Sequence, residues 1–405
     1  MEDITVTEIS PGNTHELSRK DSIWDARILV VDDSEASRIL VEEIFRMHGF
    51  LAIELAESAE EAVKKAAVNP PDLVMLDLLL PGMDGFELCR LFRRNPKLAN
   101  AVILMQTSSK ERSHLAEAFQ AGVSDFVTKP LNVDEVMARA AVHLERYMLH
   151  RRLEAYRKRT SEELYNARKM QDAILPSATL VEEIRRDYRL EVSAHFEPCS
   201  EVGGDFWGMH RIAPEEIAVY CADLVGHGVT AALNAFRVQM LLQQAGDDAN
   251  QPAAYLARLN DYLAGMMDTG QYATLFYGVI NTERHTLRCT SAGALPPVLY
   301  SAAMDNSTLL HCAGVPLGAV RGTRYEENTH PFHAGDTLLL YSDALVETAD
   351  KHGVCLPEDM LAMILTRYGG KSAGNILKHL LEESVKYRDG MPLADDLTVV
   401  VCRFL

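Results

Sequence analysis

The sequence predicts a multidomain chain: a doubly wound α/β unit, a long connecting helix, then an α+β unit. Three observations carry this. Between Arg27 and Thr128, short apolar runs alternate with amphipathic stretches, the pattern of a parallel sheet covered on both faces. From Val133 to Ile174 neither Pro nor Gly interrupts a helix. After Pro176, short strand-like runs dominate. At 405 residues the chain exceeds one ordinary domain and suits two or three.

In the first unit, strands are expected at 26–32, 51–56, 72–77, 101–106 and 123–128. Helices are expected at 35–48, 58–67, 85–94, 111–120 and from Val133 onward. Residues 1–25 have neither a basic nor an apolar segment of the signal-peptide kind and read as a flexible leader.

The connecting helix, 133–175, carries Leu149, Leu153, Tyr156, Thr160, Glu163, Ala167, Met170 and Ile174 at alternating four- and three-residue steps. Most of these are apolar, which fits a coiled-coil seam interrupted at Thr160 and Glu163. A homodimer through this helix is expected. The basic stretch HRRLEAYRKR reads as its charged outer face.

Beyond Pro176, strands are expected in YRLEVSAHFE, IAVYCADLV, ATLFYGVINT, TLRCTSAG, DTLLLYSDA and DLTVVVCRFL. Helices are expected at about 229–246, 252–267 and 372–387. This order of elements implies an α+β unit spanning 176–405.

Composition excludes several classes. A net charge of −18 disfavours nucleic acid or an anionic membrane as partner. Seven scattered cysteines without a CxxC pair fit reduced thiols of a cytoplasmic protein, not a disulfide frame or zinc site. No apolar run approaches a membrane-spanning length. No helix-turn-helix candidate lies in a basic C-terminal setting, which argues against a DNA-binding regulator.

Chemistry concentrates at strand ends. Asp32 and Asp33 end the first strand and Asp77 the third, Thr107 follows the fourth, and Lys129-Pro130 follows the fifth. In a parallel α/β sheet the strand C-termini form the ligand-binding edge. Three carboxylates there imply Mg²⁺, and an anion such as phosphate would be held by that metal with Thr107 and Lys129.

With VVDDS, MLDLLLPGMDG, TS and KP in this order, residues 26–145 resemble the receiver domain of two-component response regulators. The resemblance implies five parallel strands in the order 2-1-3-4-5. It implies Asp77 as phospho-acceptor, fed by a histidine kinase or phosphotransfer protein. Asp32, Asp33 and Asp77 would hold Mg²⁺ with the Leu79 carbonyl, and Thr107 and Lys129 would bind the phosphoryl oxygens. Phe126 takes the position of the aromatic switch residue, paired with Thr107, and Lys129–Pro130 is expected to be cis.

Four aspartates mark the other unit: Asp205 in VGGDFW, Asp223 in YCADLVGHG, Asp343 in LLLYSDALVE and Asp395 in LADDLTVVV. Carboxylates grouped at strand ends and Gly-rich turns are costly unless cations neutralise them. Two ions sharing a carboxylate activate a water for in-line attack on phosphorus. No P-loop GK[ST] and no Cys-based phosphatase loop is present.

The motifs ARKMQDAILP, EVGGDFW, ADLVGHGVTAAL, YATLFYGVI, TSAGALPPVLY, GVPLG, GDTLLLYSDALVE and DDLTVVV resemble the PPM-type serine/threonine phosphatases of the SpoIIE-like branch. The resemblance implies a β-sandwich flanked by helices and two Mn²⁺ or Mg²⁺ ions. Asp223 would bridge them, Asp343 and Asp395 would complete one shell, the Leu224 carbonyl would ligate the other ion, and Asp205 would act near the site. His227 is a general-acid candidate, although the GHG turn more often shapes the loop. Asp396 would orient Asp395 or begin the final strand. Val225, Ala294 and Ala344 depart from the family pattern, which has smaller or polar residues at the first and second and Gly at the third.

Together the halves imply a phosphatase switched by Asp77 phosphorylation and transmitted through the 133–175 helix. The resemblance implies a phosphorylated anti-sigma-factor antagonist as substrate in a partner-switching pathway. The alternative is a non-catalytic, phosphatase-like adaptor that binds a stress sigma factor for proteolysis, which would have no reason to retain all four aspartates.

Overall fold

The computed structural model describes residues 22–107, 117, 120–226, 228–244, 246, 248–268, 270–347, 349–393 and 395–405. Most of the expected leader and of the 111–120 helix, and His227, lie outside the described residues. Contacts cluster into two units, Met1–Thr160 and Ser161–Leu405.

In the first unit β1 (Ile28–Val31), β2 (Ile53–Ala56), β3 (Leu73–Asp77), β4 (Val102–Thr107) and β5 (Asp125–Thr128) form a parallel sheet in the order β2-β1-β3-β4-β5. Its inner strands β1, β3 and β4 are buried along their whole length and apolar up to their C-terminal ends, because both faces are covered. Leu29, Val31, Val74, Leu76, Ile103 and Met105 pack toward α2 (Ala59–Val68) and α3 (Gly85–Arg94). The alternate residues Ile28, Val30, Leu73, Met75, Val102 and Leu104 pack with α1 (Glu35–Met47) and the start of α4 (Val133–Ile174). Ser34, Ser58 and Asp84 accept backbone N–H bonds at the starts of α1, α2 and α3, satisfying donors that a helix leaves open.

The second unit holds two five-stranded antiparallel sheets. One comprises β7 (Phe206–Ala213), β8 (Glu216–Leu224), β9 (Ala273–Asn281), β10 (Thr286–Ala292) and β13 (Asn328–Pro331), in the order β13-β10-β9-β8-β7. The other comprises β6 (Leu190–Glu197), β11 (Val298–Ser301), β12 (Asn306–Leu309), β14 (Thr337–Tyr341) and β15 (Leu397–Phe404), in the order β12-β11-β14-β15-β6. Ile217, Val219 and Cys221 of β8 face Leu338, Leu340, Val400 and Cys402 in the core between the sheets. The alternate residues Ala218, Tyr220 and Ala222 pack outward against α6 (Val229–Gln243) and α7 (Pro252–Leu263). On the other sheet, Leu339, Val399 and Val401 pack outward against α9 (Glu358–Tyr368) and α10 (Ala373–Arg388). This is a β-sandwich flanked by helices.

Several elements exceed the sequence expectation. The strands β7, β11, β12 and β13 and the helices α5 (Ala178–Tyr188), α8 (Ala344–Glu347) and α9 were not anticipated. The strands β12 (NSTL) and β13 (NTHP) are sheet edges, where polar residues and a proline are tolerated. A proline precedes the first turn of both α5 and α9, a position that helix starts tolerate. Ser177 caps the former by accepting the Leu180 N–H, and Pro357 takes the N-cap position of the latter.

Candidate functional site

In the first unit, the C-terminal edge of the sheet gathers the expected residues. Asp32 is wholly buried, Asp77 is nearly so, and Asp33 is exposed. These three carboxylates offer ligand atoms all within 4.8 Å of one another. Lys129 Nζ lies 3.0 Å from Asp32 Oδ2 and 3.1 Å from Asp77 Oδ2. Asp32 Oδ1 accepts the Ser34 N–H at 2.9 Å, which fixes the carboxylate at the start of α1.

Burial pushes the Asp77 carboxyl above its usual range, while Lys129 pulls the other way. Burial alone would lower Lys129, but hydrogen bonds to Asp32 and Asp77 outweigh it and leave its ammonium harder to deprotonate. The Thr107 hydroxyl is buried and has no hydrogen-bond partner among the described residues. An orphaned hydroxyl beside an ammonium and three carboxylates fits a metal-bound phosphoryl group. Leu79 follows the same strand end with an exposed side chain. Phe126 is half-buried against the core, with the Arg139 guanidinium 5.6 Å from its ring centroid. The Lys129–Pro130 peptide is cis.

In the second unit, Asp223 and Asp343 line one cavity of about 180 Å³, with Thr274, Ala294, Ser342 and Glu347 among its other walls. Asp223 is the penultimate residue of β8, and Asp343 lies just beyond the end of β14. Asp205 is buried, and the Asp223 charge acts on it. Its Oδ2 also accepts the Thr398 hydroxyl at 2.7 Å. Asp395 and Asp396 precede β15, on the strand that pairs with β14.

These carboxyls also act on one another through their charges. Burial, then the Asp343 charge, push Asp223 up to about 7, with Asp395 and Asp396 adding to the shift. Burial, then Glu347 and Asp395, push Asp343 up to about 6. Burial, then Asp223, push Asp205 well above the carboxylate range. Such a set binds protons or cations in preference to standing ionised. Gly204 lies against the Leu224 carbonyl, where a Cβ would stand only 2.8 Å from the oxygen. Crowded acceptor-only groups with a carbonyl among them suit hard divalent cations.

The receiver-domain model of the response regulators matches residues 28–141, and the model of stage II sporulation protein E (SpoIIE) matches residues 213–405. Chemotaxis protein CheY of Bacillus subtilis (strain 168) is 35% identical over 111 residues, covering 27% of this chain and 91% of CheY. The chain is a response regulator with a SpoIIE-type phosphatase domain. Phosphoserine phosphatase RsbU of the same organism is 25% identical over 258 residues, or 64% of this chain and 74% of RsbU. The solved SiaA-PP2C domain of Pseudomonas aeruginosa shares the fold at a TM-score of 0.55 and 21% identity, over 62% of this chain and 99% of that domain. The chain spans only about half of other curated relatives: transcriptional regulatory protein YvrH of B. subtilis matches at 36% identity over 50% of its length.

In this response regulator the residues that sequence reasoning missed hold the acidic ones in place. Asp396, expected to orient Asp395 or begin the final strand, donates its N–H to Asp395 Oδ1 at 2.8 Å, and its carboxylate also accepts the N–H groups of Cys199 at 2.8 Å and Gly204 at 2.6 Å. Gln171 of α4 is fully buried and grips Gly203 twice, donating to its carbonyl at 2.8 Å and accepting its N–H at 3.1 Å. Ser342 Oγ donates to the Asp396 carbonyl at 2.9 Å and accepts the Thr398 N–H at 2.8 Å.

The three departures from the family pattern are each accommodated. Ala344 opens α8 and is not among the residues of positive φ, so its backbone does not require glycine. The Asp343 carboxylate accepts its N–H. Ala294 lines the cavity and donates its N–H to Ser291 Oγ at 3.1 Å. Val225 is exposed, and its N–H bonds to the Tyr272 carbonyl at 3.2 Å. On α4, Leu149, Leu153, Tyr156 and Met170 of the expected seam are all exposed in the single chain.

Proposed function

We propose that this response regulator is a metal-dependent phosphatase of phosphoserine or phosphothreonine proteins, controlled by phosphorylation of Asp77. The observation that carries the reading is the pair Asp223 and Asp343 on the wall of one cavity, with the buried Asp205 acting on Asp223 and Asp395 acting on both through their charges. Mn²⁺ or Mg²⁺ held there supplies an activated water and neutralises phosphoryl charge. Asp223 would be shared between the ions, Asp343 and Asp395 would serve one, the Leu224 carbonyl would serve the other, and Asp205 would act near them. Thr398 and Asp396 keep the Gly204–Asp205 backbone and the Asp205 carboxylate in position.

In the receiver, Asp77 takes a phosphoryl group from a histidine kinase or phosphotransfer protein. Asp32, Asp33, Asp77 and the Leu79 carbonyl hold Mg²⁺, and Thr107 and Lys129 take the phosphoryl oxygens, with Thr107 and Phe126 as the switch pair. Pairing of α4 helices in a homodimer carries the change to the catalytic loop, supported by the double grip of Gln171 on Gly203. The likeness to RsbU, a phosphoserine phosphatase, supports a phosphoprotein substrate, and we assign a phosphorylated anti-sigma-factor antagonist.

The test is Mn²⁺- or Mg²⁺-dependent hydrolysis of a phosphoserine protein by the wild type and Asp223→Asn, with and without acetyl phosphate. Metal-dependent turnover in the wild type alone supports the reading. No turnover in any state would overturn it in favour of a sigma-factor-binding adaptor. Turnover indifferent to acetyl phosphate and to Asp77→Ala would remove the switch.

A further inference from the structure

Cys289 and Cys312 lie outside both acidic sites, yet their sulfurs are 3.8 Å apart. Cys289 is buried on β10, in the core between the two sheets. Cys312 lies beyond β12 and is partly exposed. Asn328 stands directly opposite Cys289 in the β10–β13 ladder. Its side-chain amide donates to Cys312 Sγ at 3.2 Å. The hydrogen bond from Cys289, then that from Asn328, hold the Cys312 thiol down at about 6 against the opposing effect of burial, while Cys289 is pushed up. The nearby charged groups are His311, which favours the thiolate, and Glu326, which opposes it. The pair therefore sets a partly exposed sulfur, the more acidic of the two, against a buried thiol within reach of it. The other cysteines differ: burial and the neighbouring aspartates push Cys199 up to about 11, and burial raises Cys221 and Cys402.

We propose that Cys312 and Cys289 form a hydroperoxide-sensitive dithiol that closes reversibly to a disulfide. The Cys312 thiolate attacks one peroxide oxygen, the O–O bond breaks, and hydroxide or alkoxide departs with the electron pair. Cys312 is then a sulfenic acid. The Cys289 sulfur attacks that sulfur, the S–S bond forms, the S–O bond breaks, and water leaves with the Cys289 proton. The dithiol loses two electrons and the peroxide gains them.

The bond would tie the 312–316 segment to β10. Gly314 abuts the Ser291 carbonyl and Pro316 abuts Gly293, and Gly293 and Ala294 line the phosphatase cavity. The dithiol is thus placed to fix one wall of that cavity, although its oxidation does not depend on phosphatase activity.

The experiment treats the reduced full chain with equimolar hydrogen peroxide and maps peptides without reductant. The expected result is a Cys289–Cys312 cross-link that is reversed by dithiothreitol. In Cys289→Ala, a dimedone adduct is expected on Cys312 instead. In the untreated wild type at neutral pH, iodoacetamide should alkylate Cys312 about tenfold faster than Cys355, and Asn328→Leu should reduce that advantage. Absence of the cross-link, or alkylation of Cys312 no faster than Cys355, would overturn the proposal; neither readout requires a variant to fold.

Discussion

Gly204 donates its backbone N–H to Asp396 Oδ2 at 2.6 Å, across 192 residues of sequence. The same carboxylate accepts the Cys199 N–H, and it fills the space that a side chain on Gly203 would need. The Asp205 loop is therefore clamped to the start of β15 by an acidic residue that does not itself line the cavity.

Removing that clamp should loosen both stability and chemistry. Asp396→Ala leaves the buried Gly204 N–H and the part-buried Cys199 N–H without their acceptor, a loss of about 2 kcal/mol. Denaturant unfolding of the full chain should show it in the transition of the second unit. The milder Asp396→Asn should weaken metal affinity or hydrolysis by about 10–100-fold, as supporting contacts around metal ligands usually do. Unchanged activity in both variants would show that the loop holds its place without Asp396.

The raised carboxyls of the second unit make a pH prediction. Asp223 at about 7 and Asp343 at about 6 bind protons in the folded chain that the unfolded chain has already released. Their contribution is full below the ordinary carboxylate range and is lost as pH rises through about 6 to 7. Chelator-treated protein should therefore lose stability across that window, by about 1.4 kcal/mol for every tenfold by which folding tightens proton binding. Asp223→Asn should flatten the curve, and added Mn²⁺ should restore the wild type. A curve identical in wild type and Asp223→Asn would contradict the coupling.

The orphaned Thr107 hydroxyl separates binding from folding. Thr107→Ala removes a group without a partner among the described residues, so unfolding should shift by less than about 0.5 kcal/mol. Stabilisation of the wild type by Mg²⁺ with beryllofluoride should be clear in thermal melts. It should be smaller in Thr107→Ala and absent in Asp77→Asn. Equal stabilisation in all three would exclude this edge as the phosphoryl site.

The exposed face of α4 predicts association. Light scattering should report a dimer for the wild type and a smaller mass for Leu153→Glu, which places a charge in the seam. A monomer in both would leave Leu149, Leu153 and Tyr156 as an ordinary solvated face.

The receiver edge was legible because its strands are buried on both faces, so each apolar run ends abruptly at a chemically distinct residue. Asp32, Asp77, Thr107 and Lys129 all sit at such ends. The four phosphatase aspartates were legible for a similar reason, since Gly-rich turns or apolar runs flank them. Their supports were not. The partners of Asp396 lie almost 200 residues upstream, and nothing local distinguishes a residue that begins a strand from one that clamps a loop. Gln171 looks like any polar residue on a charged helix until the loop that covers it is in place. The strands β12 and β13 lacked the apolar pattern because an edge strand does not need it.

Gln171 holds both backbone polar groups of Gly203, so the end of α4 meets the catalytic loop at one fixed rotational setting. Length upstream of Gln171 then counts in phase rather than in distance. Inserting seven residues into α4 would turn the helix through almost two full revolutions and leave its upstream faces misaligned by only about 20°. Inserting two would turn them by about 200°. Under the proposed switching, a seven-residue insertion upstream of Gln171 should keep the phosphatase responsive to Asp77 phosphorylation, and a two-residue insertion should uncouple it.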